Sequence, residues 1–374
     1  MPKKDKERTQ KNNTPLFDPI QEELEGLGEN EDGGLGEYPI DTLLIRKETR
    51  TVYDVVRRIK RGDFIMDPDF QRDFVWSSDK QSKLIESVLM RIPLPVFYLA
   101  EDKDGRTIVV DGLQRLSTFH HFLENRFSLE LQNQEALNEK KFEELSPKLR
   151  NRVEDCNLEL YIIDSKVPEQ AKLDIFERVN SGELLTRQQM RNCLYVGPAT
   201  KWLKGEATSE LFQEATGKSL SSKTMRDREF VNRFCAFFLL DINNYKGDMD
   251  RFLAESLQLM NKYSEKQFND LSKQLKTTLQ NNQMLFERHA FRKHVPGQTQ
   301  RNSLNASLWD VMSTGLARYP KDLIETKAKA VQEAFYNLLN NHEFVDAITY
   351  GTNTVTKVKR RFKLANKMFK EVLG

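Results

Sequence analysis

The apolar pattern of the chain changes near Tyr195, and this change constrains the fold more than any other feature. Before that residue, short β-branched and aromatic runs typical of strands alternate with amphipathic helical patterns. After it, strand-like runs vanish and apolar residues recur at helical spacing, as at Phe230, Phe234 and Phe237. A chain of 374 residues is long enough for two domains. The sequence therefore predicts an α+β protein, with a mixed α/β domain over residues 49–195 and an all-α domain over 196–374.

Composition narrows the class of protein. With 38% hydrophobic and 30% charged residues, the chain can bury a sizeable core and stay in solution. It has no apolar run of about 18 residues, so we expect a cytoplasmic protein without a membrane span or signal peptide. Cys156, Cys193 and Cys235 are odd in number and far apart, which favours reduced thiols over disulfides or a zinc site. The net charge of +2 means that any nucleic-acid contact must come from a local basic patch.

Residues 1–48 are expected to form a disordered charged tail. A lysine-rich start is followed by an acidic, glycine-rich stretch, and neither part has enough apolar side chains to offset the entropy of ordering. Charge blocks of this kind also serve as interaction tails, so a partner-binding arm is the alternative.

The segment from Thr107 to Phe119 predicts a strand, a tight turn and a helix. The β-branched run ends in Asp111-Gly112, after which apolar residues recur at helical spacing, and Asp111 is placed to cap the free amides. Such a junction directs unpaired N–H groups and the positive end of a helix dipole at one spot, which suits a phosphate. Gly112 allows a ligand close to the backbone, Gln114 offers a donor and an acceptor, and Arg115 adds a charged fork. The alternative is an Asp-capped helix carrying two solvated polar residues.

Similar reasoning gives the other elements of the N-terminal half. We predict a helix from about residue 52 to the stop at Gly62, one from Ser78 to about Ile92, a short one that starts at Pro147, one from Pro168 to about Val179, and one capped by Thr186 with Gln189. Strands are predicted near 96–100 and 158–163. Two further polar clusters stand beside these elements: Gln71-Arg72 in an aromatic loop, and Arg178 to Gly182 followed by Arg191-Asn192.

Four motifs in this order resemble a known family. They are Phe70-Gln71-Arg72-x-Phe74-x-Trp76, Lys83-Leu84-Ile85-Glu86-Ser87-Val88-Leu89-x-x-Ile92-Pro93-x-Pro95, Asp111-Gly112-x-Gln114-Arg115-Leu116, and Phe176-x-Arg178-Val179-Asn180-Ser181-Gly182-x-x-Leu185-Thr186-x-x-x-x-Arg191-Asn192. The pattern resembles the N-terminal domain of GmrSD-type, modification-dependent restriction systems, a family similar in fold to ParB and sulfiredoxin. The likeness runs from about residue 50 to 195.

This resemblance implies a ParB-like domain that binds, and hydrolyses, a nucleoside triphosphate in a DNA restriction or anti-phage defence system, with DNA and a separate nuclease or defence protein as partners. By position, Asp111, Gln114 and Arg115 match the family signature and become the candidate catalytic residues. The implied nucleotide and phosphate contacts are Gln71, Arg72, Gly112, Asn180, Gly182 and Arg191. Asp111 would either hold a magnesium-bound water or cap its helix.

One departure bears on activity. Leu113 stands where the family usually has glutamine, so either that glutamine is dispensable or this member turns nucleotide over slowly. A nuclease domain of the HNH type, which many relatives carry, needs a histidine base and metal-binding residues. The five histidines lack that spacing, since His289 and His294 are five apart, and His120 is expected to be a core residue. We therefore expect a standalone member without the nuclease domain, and no carboxylate cluster supports DNA cleavage by the ParB-like fold itself.

The final segment, residues 352–374, predicts a basic helix. Val358, Phe362, Ala365 and Phe369 would face inward and seven cations outward, among them Lys359, Arg360 and Lys363. This surface is either solvated or in contact with DNA phosphates. Two hypotheses follow: a nucleotide-binding protein with weak hydrolase activity, or a non-enzymatic DNA-binding or adaptor protein that uses the same cleft together with this helix.

Overall fold

A computed structural model describes residues 24–25, 44–66, 76–102, 105–179 and 186–374. Within this part of the chain no helix is both long and apolar enough to cross a bilayer. The three cysteines are free thiols, as predicted: Cys193 and Cys235 are buried, and Cys156 is partly exposed.

The N-terminal half is built from a sheet and the helices on its two faces. The strands here are β1 (Leu24–Glu25), β2 (Ile45–Thr51), β3 (Phe64–Ile65), β4 (Phe97–Glu101), β5 (Thr107–Asp111) and β6 (Asn157–Ile163). The helices are α1 (Val52–Arg61), α2 (Ser78–Leu89), α3 (Leu113–Leu123), α4 (Pro147–Glu154), α5 (Glu169–Val179) and α6 (Arg187–Leu194). Local signals fix several ends: α1 stops at Gly62, which adopts a left-handed conformation with φ of 81°. The side chains of Thr186 and Gln189 form a reciprocal capping box at α6.

Five strands form one mixed sheet in the order β2-β6-β4-β5-β3. β4 lies at its centre, antiparallel to β5 and parallel to β6, while β2 is the antiparallel edge strand beside β6. The pairing between β4 and β5 shifts register between Tyr98 and Leu99. This irregularity lies next to the C-terminal end of β5, where the polar signature begins.

Each face of the sheet packs against its own helices. One face carries Phe97, Leu99 and Val109 and packs against α1, α2, α3 and α4. The opposite face carries Ala100, Val110 and Ile163 and packs against α5 and α6. Layers of this kind bury apolar strands on both sides. The observed architecture is the predicted α+β one.

The C-terminal half is a helical assembly around Trp309, which is fully buried and donates its indole N–H to the Phe230 carbonyl at 2.7 Å. Its helices are α7 (Pro198–Ala207), α8 (Glu210–Thr216), α9 (Arg226–Leu239), α10 (Met249–Met260), α11 (Glu265–Phe286), α12 (Ala306–Leu316), α13 (Lys321–Thr326), α14 (Ala328–Leu339), α15 (His342–Thr349) and α16 (Val355–Leu373). A two-residue strand, β7 (Leu304–Asn305), precedes α12. The prediction of a helical second half is confirmed, with this short strand as an exception.

The expectation of a disordered tail up to residue 48 is wrong at its C-terminal end. Residues 45–48 belong to β2, and Leu24 and Glu25 pair in parallel with Leu304 and Asn305 of β7. Glu25 also forms an ion pair with Lys293. These short pieces are ordered because distant strands supply their hydrogen bonds, a signal that local composition does not carry.

Candidate functional site

The polar signature lies where β5 turns into α3, as the sequence predicts. Gly112 adopts a left-handed conformation with φ of 97°, and a Cβ there would come within 2.3 Å of Cδ1 of Phe97. Only glycine fits this turn without displacing the Phe97 ring. Among the described residues, the amides of Leu113, Gln114 and Arg115 have no hydrogen-bond acceptor. The start of α3 therefore presents free donors at the positive end of its dipole.

Asp111 does not cap α3, contrary to the expectation from sequence. Gly112 is the N-cap residue, and no side chain accepts from the first amides. Asp111 instead pairs with Arg115, with 2.9 Å between Oδ2 and Nη2. Its side chain remains one third exposed.

Arg115 lies beneath the turn and supports it. Its Nη1 donates to the Pro95 carbonyl at 2.5 Å and its Nη2 to the Val96 carbonyl at 3.1 Å. The guanidinium carbon lies 4.2 Å from the centroid of the Phe97 ring. Burial lowers the pKa of Arg115 and the nearby Asp111 carboxylate opposes that shift, yet an arginine remains charged at neutral pH. Its Nε makes no hydrogen bond with a described residue, so one donor is left for a ligand.

Gln114 connects this turn to Trp76, the last residue of the first motif. Its Oε1 accepts the backbone N–H of Trp76 at 3.1 Å. With the oxygen engaged, the Gln114 NH₂ group is left to donate elsewhere. Gln71 and Arg72 fall outside the described residues, and Trp76 is the first described residue after them.

The third motif begins beside the same end of the sheet. Helix α5 ends at Val179, whose side chain packs with Tyr98 against the apolar cluster under α5 and α6. Tyr98 in turn is the cross-strand partner of Asp111. Asn180, the next residue, and Gly182 lie outside the described residues. Trp76 of the first motif thus contacts the second motif directly, and Val179 of the third motif packs against the same apolar cluster as Tyr98, the strand neighbour of Asp111.

Arg191 occupies a different environment from the one its predicted role requires. Its side chain is fully buried between the two halves, where Nε donates to Gln188 Oε1 at 3.0 Å and Nη1 pairs with Asp250. Its Nη2 lies 4.0 Å from Glu229 Oε1 and makes no hydrogen bond. In this structure Arg191 joins α6 to α9 and α10 and does not face solvent.

The described residues contain no group of three or more His, Cys, Asp and Glu side chains arranged to hold a metal ion. The rings of His289 and His294 stack with centroids 4.9 Å apart, and His294 Nδ1 bonds the Arg292 carbonyl at 2.9 Å. His120 is about one fifth exposed, with Nε2 3.4 Å from Glu124 Oε1. Asp111 could still ligate magnesium, because this ion is often held by one carboxylate together with substrate phosphates.

The basic C-terminal helix α16 is only partly as predicted. Lys359 and Lys363 are exposed, whereas Arg360 lies 4.0 Å from Asp346 and Lys357 also pairs with that carboxylate. The prediction that all seven cations face outward is wrong for Arg361, which is fully buried, with Nη2 2.8 Å from Asp310 Oδ2. Asp310 also pairs with Arg233 at 2.6 Å. The exposed face of α16 therefore carries fewer cations than the seven in its sequence, because Arg361 belongs to a buried ion network with Asp310 and Arg233.

Sequence reasoning missed the aromatic pair beside the signature. Tyr98 and Tyr161 are partly exposed on neighbouring strands, and their ring centroids are 5.6 Å apart. Their signal is an aromatic residue with a polar hydroxyl in each of two otherwise apolar strands. Only the strand pairing reveals that they meet.

A comparison with known families finds a match, which lies in the N-terminal half. Residues 52–196 match the family described as GmrSD restriction endonuclease, N-terminal domain. This range includes strands β3 to β6, helices α1 to α6 on the two faces of the sheet, and the turn at Gly112. No curated protein and no solved structure matches the chain.

Proposed function

Because residues 52–196 form a GmrSD-type N-terminal domain, we propose that this protein binds a nucleoside triphosphate at the start of α3 and hydrolyses it slowly, as a component of a DNA restriction or anti-phage defence system. The observation that carries the proposal is the left-handed turn at Gly112, which leaves three successive amides free above a buried arginine. Phosphate oxygens suit such a site.

Each signature residue has a role that its contacts allow. The amides of Leu113 and Gln114 and the Gln114 NH₂ group would donate to phosphate oxygens. Arg115 fixes the turn through Pro95 and Val96 and supplies a permanent positive charge beneath it. Asp111 would hold magnesium, which neutralises phosphate charge when bound.

Slow turnover follows from Leu113. Its side chain is partly buried and packs against the apolar core under α1 to α4. It therefore offers no polar atom to a phosphate or to water, where the family usually has a glutamine. The proposal assigns this chain nucleotide binding with a weak hydrolase step.

Titration with the four ribonucleoside triphosphates, with and without magnesium, tests the proposal directly. We expect dissociation constants that change little between low and moderate salt, because the pocket contacts few phosphates. A protein that binds none of the four contradicts the proposal.

A second candidate function is DNA binding, favoured by the exposed Lys359 and Lys363 on α16. DNA phosphates would displace counterions from this face, so affinity should fall steeply with salt. The same salt series with duplex DNA therefore separates the two functions. In a defence system both could operate, with a separate nuclease as the partner.

A further inference from the structure

Two tyrosines form a stacked pair on the sheet, directly beside the proposed phosphate site. The strand register places Tyr98 opposite Asp111 on one side and opposite Tyr161 on the other. The two rings lie 5.6 Å apart between centroids, with 22° between their planes. Asp111, Tyr98 and Tyr161 thus form a row across β5, β4 and β6.

The pair lies at the boundary between a covered and an open part of the sheet face. Helices α5 and α6 bury Ala100, Val110 and Ile163 on this face. Towards the edge strand, Lys47 is the cross-strand partner of Tyr161, and its side chain is half exposed, as is that of Glu159. Tyr98 therefore packs against this apolar cluster, whereas Tyr161 lies towards the exposed edge of the sheet.

A purely structural role does not account for the exposure of the two rings or for their unbonded hydroxyl groups. Cross-strand aromatic pairs stabilise sheets, and this one does so as well. However, both rings remain partly exposed, and neither hydroxyl makes a hydrogen bond with a described residue. Aromatic side chains that stand open on a sheet beside a phosphate-binding element are a common way to hold a nucleobase.

We infer that the Tyr98–Tyr161 pair is the stacking platform for the base of the nucleoside triphosphate whose phosphates bind at Gly112. This inference rests on the proposed function and adds the part of the ligand that the phosphate site does not contact. Tyr161 is two strands from β5, on the order of 10 Å at the usual strand spacing, which a nucleotide spans between its phosphates and its base. Because every base has a π face, the platform accepts purines and pyrimidines alike.

The test compares ligands with and without a base. Inorganic tripolyphosphate and the four ribonucleoside triphosphates are titrated into the full-length protein by calorimetry. We expect each nucleotide to bind at least about tenfold more tightly than tripolyphosphate, since stacking contributes on this scale. Equal affinities overturn the platform while leaving the phosphate site in place, and failure of both ligands to bind overturns the phosphate site and the platform together.

Variants of the pair decide whether these rings are responsible. Tyr161→Leu should lose about tenfold in nucleotide affinity and leave tripolyphosphate affinity unchanged, whereas Tyr161→Phe should bind as the wild type does. Tyr98→Phe removes only a hydroxyl and keeps the packing, so it serves as the folded control for the buried side of the pair. Nucleotide affinity that is unchanged in a folded Tyr161→Leu protein, as judged by its melting temperature, overturns the inference.

Discussion

Gln114 Oε1 accepts the backbone N–H of Trp76 at 3.1 Å, across 38 positions of the chain. This hydrogen bond links Trp76, the last residue of the first motif, to the turn that carries the second motif. It also leaves the Gln114 NH₂ group as a donor beside the free amides of α3. In the Gln114 side chain, the oxygen therefore holds Trp76 and the nitrogen is available to donate to a phosphate.

The two roles of Gln114 can be separated by Gln114→Glu. A carboxylate still accepts from Trp76, so the loop should stay in place and the melting temperature should be close to that of the wild type. The variant loses the NH₂ donor and adds a negative charge near bound phosphate, so triphosphate affinity should fall by tenfold or more. Calorimetric titration measures this change.

Gln280→Glu provides the matched control, because this exposed glutamine lies on α11 and the change in charge is the same. It should leave nucleotide affinity as it is. Wild-type affinity in Gln114→Glu would show that Gln114 serves only to hold the loop.

Arg115→Ala should destabilise the protein. Arg115 holds two backbone carbonyls and the Asp111 carboxylate and is 9% exposed. Removing it leaves these acceptors without a partner, so we expect a loss on the order of 3 kcal/mol in the free energy of unfolding. Urea denaturation followed by circular dichroism measures it.

Arg126→Ala is the comparison for Arg115, since Arg126 follows the same helix, pairs with Glu124 and is about half exposed. Its loss should change stability by about 0.5 kcal/mol or less. Equal stability of the two variants would mean that the contacts of Arg115 with the Pro95 and Val96 carbonyls contribute little.

The local parts of this site were predictable, whereas its distant connections were not. The strand, the turn at Gly112 and helix α3 follow from neighbouring residues, because β-branched runs, Asp-Gly turns and apolar periodicity act over a few positions. Edge strand β2 is mostly polar and exposed, so its order depends on pairing with β6. Likewise Arg361 has no local mark of burial, because its partner Asp310 lies 51 positions away. The roles of Arg115 and Gln114 depend on Pro95, Val96 and Trp76 in the same way.

Leu113→Gln should raise the rate of nucleotide hydrolysis several-fold with little change in nucleotide affinity. Leu113 packs partly against the core at the first position of α3, so a glutamine there could direct its amide towards the phosphate site. The exchange removes some apolar burial and should cost about 1 kcal/mol of stability. Steady-state phosphate release, measured with saturating nucleotide and magnesium, reports the rate.

Leu123→Gln tests whether any rate increase is specific to position 113. Leu123 ends the same helix and also packs partly against that core, but it is eleven positions from the turn at Gly112. It should show a similar loss of stability without an increase in turnover. Unchanged turnover in Leu113→Gln would make residue 113 a helix contact and nothing more.

Charge reversal on the exposed face of α16 tests whether this protein binds DNA through that helix. Replacing Lys359, Arg360 and Lys363 with glutamate should abolish duplex DNA binding, while nucleotide binding at α3 stays the same. If all three cations contact phosphates, the salt slope of log affinity should become shallower by about 2–3. Because Asp346 lies beside Arg360, the double variant Lys359→Glu/Lys363→Glu reverses two charges without placing two acids together.

Reversal of Lys266, Lys273 and Lys276, three exposed lysines of α11, is the charge-matched control and should leave DNA affinity unaffected if the site is local. Filter binding at several salt concentrations gives both quantities. DNA affinity that survives the triple reversal excludes α16 from the DNA-binding surface, and an equal loss in the α11 variant would indicate a nonspecific response to net charge.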